Sequence, residues 1–241
     1  MPEQALTVNT EDGTVPATLY GEPGNPGVLM LMDAFGPRPA LADMARRLAG
    51  AGYVVLLPDL FYRFGQYGPF DAATAFQDEA KKAELMKMIK GTTQAMTARD
   101  TGAFLDVLAE HGGIGPVGVV GYCMGGARAL TVAAEYPLRI AAAASFHGGG
   151  LASEAEDSPH LRAAEIRARV YVGCAGVDRS FPPEQSARLA QSLREAEVDH
   201  IIENYVGMSH GWAVPDHSVH DPAGAERHWT RLLTLFDETL R

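Results

Sequence analysis

Short runs that are apolar at every position recur along this chain, each followed by a stretch whose apolar residues are spaced three and four apart. Val28-Leu29-Met30-Leu31-Met32 is the clearest run. A strand with water on one face alternates apolar and polar residues, so an unbroken run suits a strand covered on both faces of a parallel sheet. Leu41, Met44, Ala45 and Leu48 follow at helical spacing, Gly50 and Gly52 close that segment, and residues 53–57 form the next apolar run. The pair of runs with a helix between them predicts a βαβ unit. The pattern repeats, with strands expected at 117–120, 140–146, 170–174 and 200–205. Helices are expected at 72–90, 95–111, 124–135, 184–196 and 223–240. Ahead of these, residues 5–9 and 15–20 are rich in Thr and Val and flank Glu11-Asp12-Gly13, which predicts an antiparallel hairpin. Residues 58–70, with their aromatics and glycines, predict a long excursion over the sheet. The expected fold class is α/β: a doubly wound, mostly parallel sheet with an N-terminal antiparallel hairpin, in one domain spanning residues 1–241.

The bulk numbers narrow the partners. A formal net charge of −10 repels a nucleic-acid backbone or an anionic membrane, so neither is expected, and a small organic molecule is the expected partner of a monomer or small homo-oligomer. Residues 1–12 have no basic segment leading into an apolar one, and no run approaches the roughly 18 apolar residues of a membrane span; a cytoplasmic location is expected. Cys123 and Cys174 are the only cysteines, too few for a disulfide framework.

Chemistry concentrates at Gly121-Tyr122-Cys123-Met124-Gly125-Gly126, placed between an expected strand and an expected helix. A strand that turns sharply into a helix exposes its tip residue in a strained conformation, and flanking glycines keep neighbouring side chains from colliding there. The tip, Cys123, also stands at a helix N-terminus, where free N–H groups and the helix dipole favour a thiolate. Downstream, Asp178 follows the strand ending near Cys174 and His210 follows the last strand, so both emerge at the C-terminal edge of the sheet, where open α/β sheets meet ligands. The chain order is Cys, Asp, His. It predicts a nucleophile in Cys123, a base in His210, an orienting acid in Asp178, and oxyanion donors in the backbone N–H groups of Met124 and Ala34.

Several separated segments together resemble the dienelactone hydrolase family: Met32-Asp33-Ala34-Phe35-Gly36, Gly52-Tyr53 leading to Pro58-Asp59-Leu60, the Gly121 to Gly126 elbow, Gly176-Val177-Asp178, and Ser209-His210-Gly211. The resemblance implies an α/β-hydrolase fold that cleaves esters or lactones through an acyl-cysteine, with no metal or organic cofactor. Members that cleave dienelactone carry a glutamate where Asp33 stands, in contact with the resting cysteine, which implies an active-site acid here. They also carry an arginine four residues after the catalytic histidine that binds the substrate carboxylate, where this chain has Val214. A second family arginine lies over the sheet, whereas residues 66–98 hold Lys81, Lys82, Lys87 and Lys90 and no arginine. The expected substrate is therefore neutral, or anchored differently from the carboxylated dienelactone.

Plainer roles fit other residues. Cys174, at the end of an apolar strand, is expected to be structural. Phe35, Tyr122, His147, Trp212 and Val214 are candidates to line the pocket. His147-Gly148-Gly149-Gly150 resembles the lipase oxyanion sequence but follows the nucleophile, so it is expected to be a strand-end loop. His200, His217, His220 and His228 lack metal-ligand spacing and are expected at the surface, and no metal is expected. Glutamine amidotransferases share the elbow but place their acid two residues after the histidine, where this chain has Trp212. The alternative function is a catalytically silent binding or thiol-sensing module on the same fold.

Overall fold

A computed structural model describes residues 2–241. Eight strands form one sheet: β1 (Glu3–Thr10), β2 (Gly13–Tyr20), β3 (Pro26–Leu31), β4 (Val54–Pro58), β5 (Ile114–Tyr122), β6 (Ile140–Phe146), β7 (Arg169–Val177) and β8 (His200–Ser209). Their spatial order is β1-β2-β4-β3-β5-β6-β7-β8. The β1–β2 and β2–β4 pairs are antiparallel, and every other pair is parallel. The expected mostly parallel sheet with an N-terminal antiparallel hairpin is thus the observed one. Every residue of β3 and β4 is buried, as their unbroken apolar runs require, while β1 and β8 stand at the edges and expose much of their length.

Six helices wrap the sheet: α1 (Pro39–Gly50), α2 (Glu79–Gly91), α3 (Gln94–Glu110), α4 (Met124–Glu135), α5 (Pro183–Glu195) and α6 (Pro222–Leu240). Two glycines show that both faces are covered. A Cβ on Gly118 of β5 would strike Phe236 of α6, and one on Gly27 of β3 would touch Leu108 of α3. Gly118 pairs with Val28, the neighbour of Gly27, and successive strand residues face opposite ways. Helices α6 and α3 therefore lie on opposite faces. In α1 the residues that define the helical period, Leu41, Met44, Ala45 and Leu48, are all buried; each of the larger ones contributes roughly 1.5–3 kcal/mol by leaving water.

Boundaries differ from the sequence reading where a local polar group decides them. The helix expected over 72–90 begins only at Glu79, because the Asp78 carboxylate accepts the Ala80 and Lys81 N–H groups and caps it. Before it lies only a 3-10 turn at Ala75–Gln77. A 3-10 segment at Pro159–Glu165, not signalled by periodicity, packs between α4 and α5. The excursion after β4 is pinned down by Arg63, which binds the Asp12 and Asp100 carboxylates, and by the Tyr67 hydroxyl, which donates to Asp59 at 2.7 Å.

Candidate active site

The β5–α4 turn holds Cys123 at φ +52°, a conformation disfavoured for any residue with a side chain. Two glycines make the turn possible by close approach. A Cβ on Gly121 would fall on the Gly125 carbonyl, and one on Gly125 would stand 2.5 Å from the Leu31 carbonyl oxygen. The elbow therefore lies against the end of β3. The Cys123 N–H donates to the Phe146 carbonyl at 3.1 Å and to His147 Nδ1 at 3.2 Å, which fixes the strained backbone. Because His147 accepts at Nδ1, its proton resides on Nε2, and burial keeps the ring neutral by holding its pKa well below the usual histidine value.

Asp178 and His210 sit just beyond the C-terminal ends of β7 and β8. His210 Nδ1–H donates to Asp178 Oδ2 at 2.7 Å. The other carboxylate oxygen accepts the Ser180 N–H at 2.8 Å and the Ser180 hydroxyl at 2.6 Å. With Nδ1 committed to Asp178, Nε2 is the nitrogen left for Cys123, which lines the same cavity and acts electrostatically on the ring. Burial disfavours the imidazolium, but the negative sulfur of Cys123 and the Asp178 carboxylate outweigh it and raise the His210 pKa to about 10. The structure thus brings Cys123, Asp178 and His210 together. Cys174 is buried elsewhere, and burial pushes its thiol up to about 11.

A cavity of about 370 Å³ opens at this point, lined among others by Thr92, Cys123, Met124, Arg128, Ser180 and His210. Met124 is the first residue of α4, so its N–H has no intrahelical acceptor. Ala34 lies in the loop that leaves β3 beside the elbow. That loop is shaped by Asp33, whose Oδ1 accepts the Phe35 N–H at 3.0 Å.

The contacts of Asp33 itself are with other groups than Cys123. Its fully buried carboxylate is engaged by Arg38 Nη1 and Nη2 at 2.7 and 2.9 Å and by His217 Nε2 at 3.1 Å, and it makes no hydrogen bond to Cys123. Burial opposes its ionisation, but His217 and Arg38 more than offset that and hold its pKa below the usual carboxylate value. It braces the loop rather than guarding the thiol.

The expected pocket lining is also revised. Phe35 faces a separate cavity of about 870 Å³ between the β1–β2 hairpin and residues 65–70. Tyr122, His147, Trp212 and Val214 are buried and outside the lining of the Cys123 cavity. Two expected surface histidines are internal: His217 on Asp33, and His228, which accepts the Tyr122 hydroxyl at 2.9 Å and whose pKa burial lowers to about 3. Sequence reading missed Ser180, Arg38 and Arg128. For Arg128 a signal existed: from Met124 to Ala134 every other residue of α4 is small or apolar, so the arginine among them has no polar face to share.

Among known proteins, the family profile described as "dienelactone hydrolase family" matches residues 15–240. A carboxymethylenebutenolidase of Rhodococcus opacus is 27% identical over 247 residues, covering 98% of this chain and 92% of that protein. A crystal structure of a dienelactone hydrolase-like promiscuous phosphotriesterase from metagenomic libraries superposes with a TM-score of 0.79 at 26% identity, over the whole of both chains. The dienelactone hydrolase of Anabaena variabilis shares the fold at a TM-score of 0.69 and 18% identity, covering 100% of this chain and 99% of its own. Among the described residues no helix is long and apolar enough to cross a membrane. With the profile spanning all but the first strand, the chain belongs to the dienelactone hydrolase family, a family of hydrolases acting on small molecules.

Proposed function

We propose that residues 1–241 act as one domain that hydrolyses an ester or lactone bond through an acyl-cysteine on Cys123. The single observation that carries the reading is the Asp178–His210 hydrogen bond on the wall of the cavity that Cys123 also lines. The raised His210 pKa favours the imidazolium, the proton donor that the departing oxygen needs. Cys123 Sγ attacks the carbonyl carbon, and the carbonyl π electrons move onto oxygen, where the Met124 and Ala34 N–H groups receive the charge. The tetrahedral intermediate collapses with cleavage of the C–O bond, and His210 gives its proton to the departing oxygen, leaving a thioester. His210 then removes a proton from water, the hydroxide attacks the thioester, and the acid leaves as the thiolate and imidazolium are restored. Asp178 holds the imidazole in the needed tautomer throughout. Every step uses protein groups and water.

Rapid mixing with excess 4-nitrophenyl hexanoate tests this. The expected trace is a burst approaching one nitrophenolate per chain, followed by slower turnover, with both phases lost after Cys123 is alkylated. Turnover that survives complete alkylation of Cys123 would exclude the acyl-cysteine, and a silent binding or thiol-sensing module would give no release at all.

A further inference from the structure

Arg128 is a charge inside the protein with no carboxylate in ion-pair distance. Its side chain lies on the first turns of α4, is 5% exposed, and lines the same cavity as Cys123 and His210. Its guanidinium donates from Nε to Thr97 Oγ1 at 3.2 Å, from Nη1 to the Met124 carbonyl at 2.9 Å, and from Nη2 to the Thr92 carbonyl. All three acceptors are neutral. Among the described residues no carboxylate comes within ion-pair distance of it, whereas Arg38, with its side chain 9% exposed, is paired with two. The Cys123 sulfur and, from the exposed rim of the cavity, Asp157 act on it only at longer range, and Lys90, also exposed on the rim, adds a second positive charge. Thr92 Oγ1, on the same wall, is buried without a hydrogen-bond partner.

A guanidinium carries five N–H groups, so three bonds leave one unused on each of Nη1 and Nη2. Buried charges are ordinarily paired, because the interior solvates them poorly. Burial does lower the Arg128 pKa, to about 10, yet it stays charged at neutral pH. An unpaired cation facing a cavity beside a nucleophile is arranged to receive an anion from solution, and two free N–H groups suit the two oxygens of a carboxylate.

We propose that Arg128 is the anion anchor of the Cys123 cavity, so that the preferred substrate is an ester or lactone carrying a free carboxylate held by Arg128, with Thr92 Oγ1 as a further donor. This rests on the hydrolase reading above. It places the specificity determinant on α4, five residues after the nucleophile, and not in the segments over the sheet or after His210.

The test is the ratio of kcat/KM for matched 4-nitrophenyl esters, glutarate monoester against pentanoate and adipate monoester against hexanoate, corrected for spontaneous hydrolysis. Wild type is expected to favour one of the charged esters over its neutral twin, and Arg128→Gln to lower that ratio by about 10- to 150-fold, the loss of one charge-assisted hydrogen bond. Arg128→Lys should restore part of it. Anything the substitution does to both esters alike cancels in the ratio, so a merely structural role would leave it unmoved. In unaltered protein, glutarate or adipate should slow alkylation of Cys123 by iodoacetamide while pentanamide does not, a readout that needs neither turnover nor a folded variant. A wild-type ratio near one together with no protection by either dicarboxylate would overturn the anchor while leaving ester hydrolysis standing. Protection without turnover of any ester would keep the anion site and remove the hydrolase reading.

Discussion

Replacing Cys123 with alanine is expected to lower kcat/KM for an ester by about four orders of magnitude or more, and His210→Ala by a similar factor. If both groups act in one proton-transfer unit, as proposed, the double variant should be little worse than either single one. Independent, multiplying losses would contradict the shared unit. Asp178→Asn should cost up to about 10⁴-fold, because an amide no longer favours the tautomer that keeps Nε2 directed at the thiol. Ser180 Oγ, 3.1 Å from Nδ1, keeps its lone pairs while it donates to residue 178 and can accept from Nδ1–H, so the loss should fall short of that ceiling. The pH profile carries a sign. His210 is raised from about 6.5 to about 10, so the proton it holds is stabilised by folding; that contribution is complete below about pH 6.5 and is lost as pH rises through about 10. For an alkyl ester, whose leaving oxygen needs that proton, activity should fall about tenfold per unit above pH 10. For a nitrophenyl ester, which leaves without it, the alkaline fall should be shallower.

The second large effect concerns Asp33, and it falls on stability before catalysis. Asp33→Ala strips the partner from Arg38 and His217 in a site where Asp33 is fully buried and the Arg38 side chain is 9% exposed. Removing one member of a buried ion pair costs about 3–5 kcal/mol, because the charge left behind is not resolvated. For a chain of this size that is a fall in Tm of roughly 6–20 °C. Asp216 still binds Arg38, which places the expectation toward the lower part of that range. The same variant frees the Phe35 N–H and with it the loop that carries Ala34, so kcat should drop by up to about 10²–10³ even at temperatures where the protein is folded. Asp33→Asn, which still accepts from Phe35, should keep more of the kcat than of the stability. Thermal unfolding of both variants beside their kinetics separates the two effects; an unchanged Tm for Asp33→Ala would mean that the buried ion pair does not contribute as described.

These two sets of residues also show where sequence reading succeeds. The elbow was legible because a close backbone approach demands glycine, and Gly121 and Gly125 cannot be exchanged without collision. The parallel sheet was legible because double burial leaves no polar position in β3 or β4. The partners of Asp33 were not legible, since Arg38 and His217 are chosen by how two loops fold over each other, and no periodicity encodes that. The same holds for the pocket: Tyr122, Trp212 and Val214 flank Cys123 and His210 in sequence but are buried in the core. Arg128 lies five residues from the nucleophile yet looks like an ordinary solvated helix arginine until the surrounding α4 residues are seen to be buried.

The central claim is that the acyl group is carried on Cys123, and the most direct measurement is the mass of the protein during turnover. A reaction with 4-nitrophenyl hexanoate, quenched in acid within the burst phase and digested, should show a hexanoyl adduct on the peptide containing Cys123, none on the peptide containing Cys174, and none anywhere in Cys123→Ala. Hexanoylation of Cys174, or full hydrolytic activity in Cys123→Ala, would contradict the account.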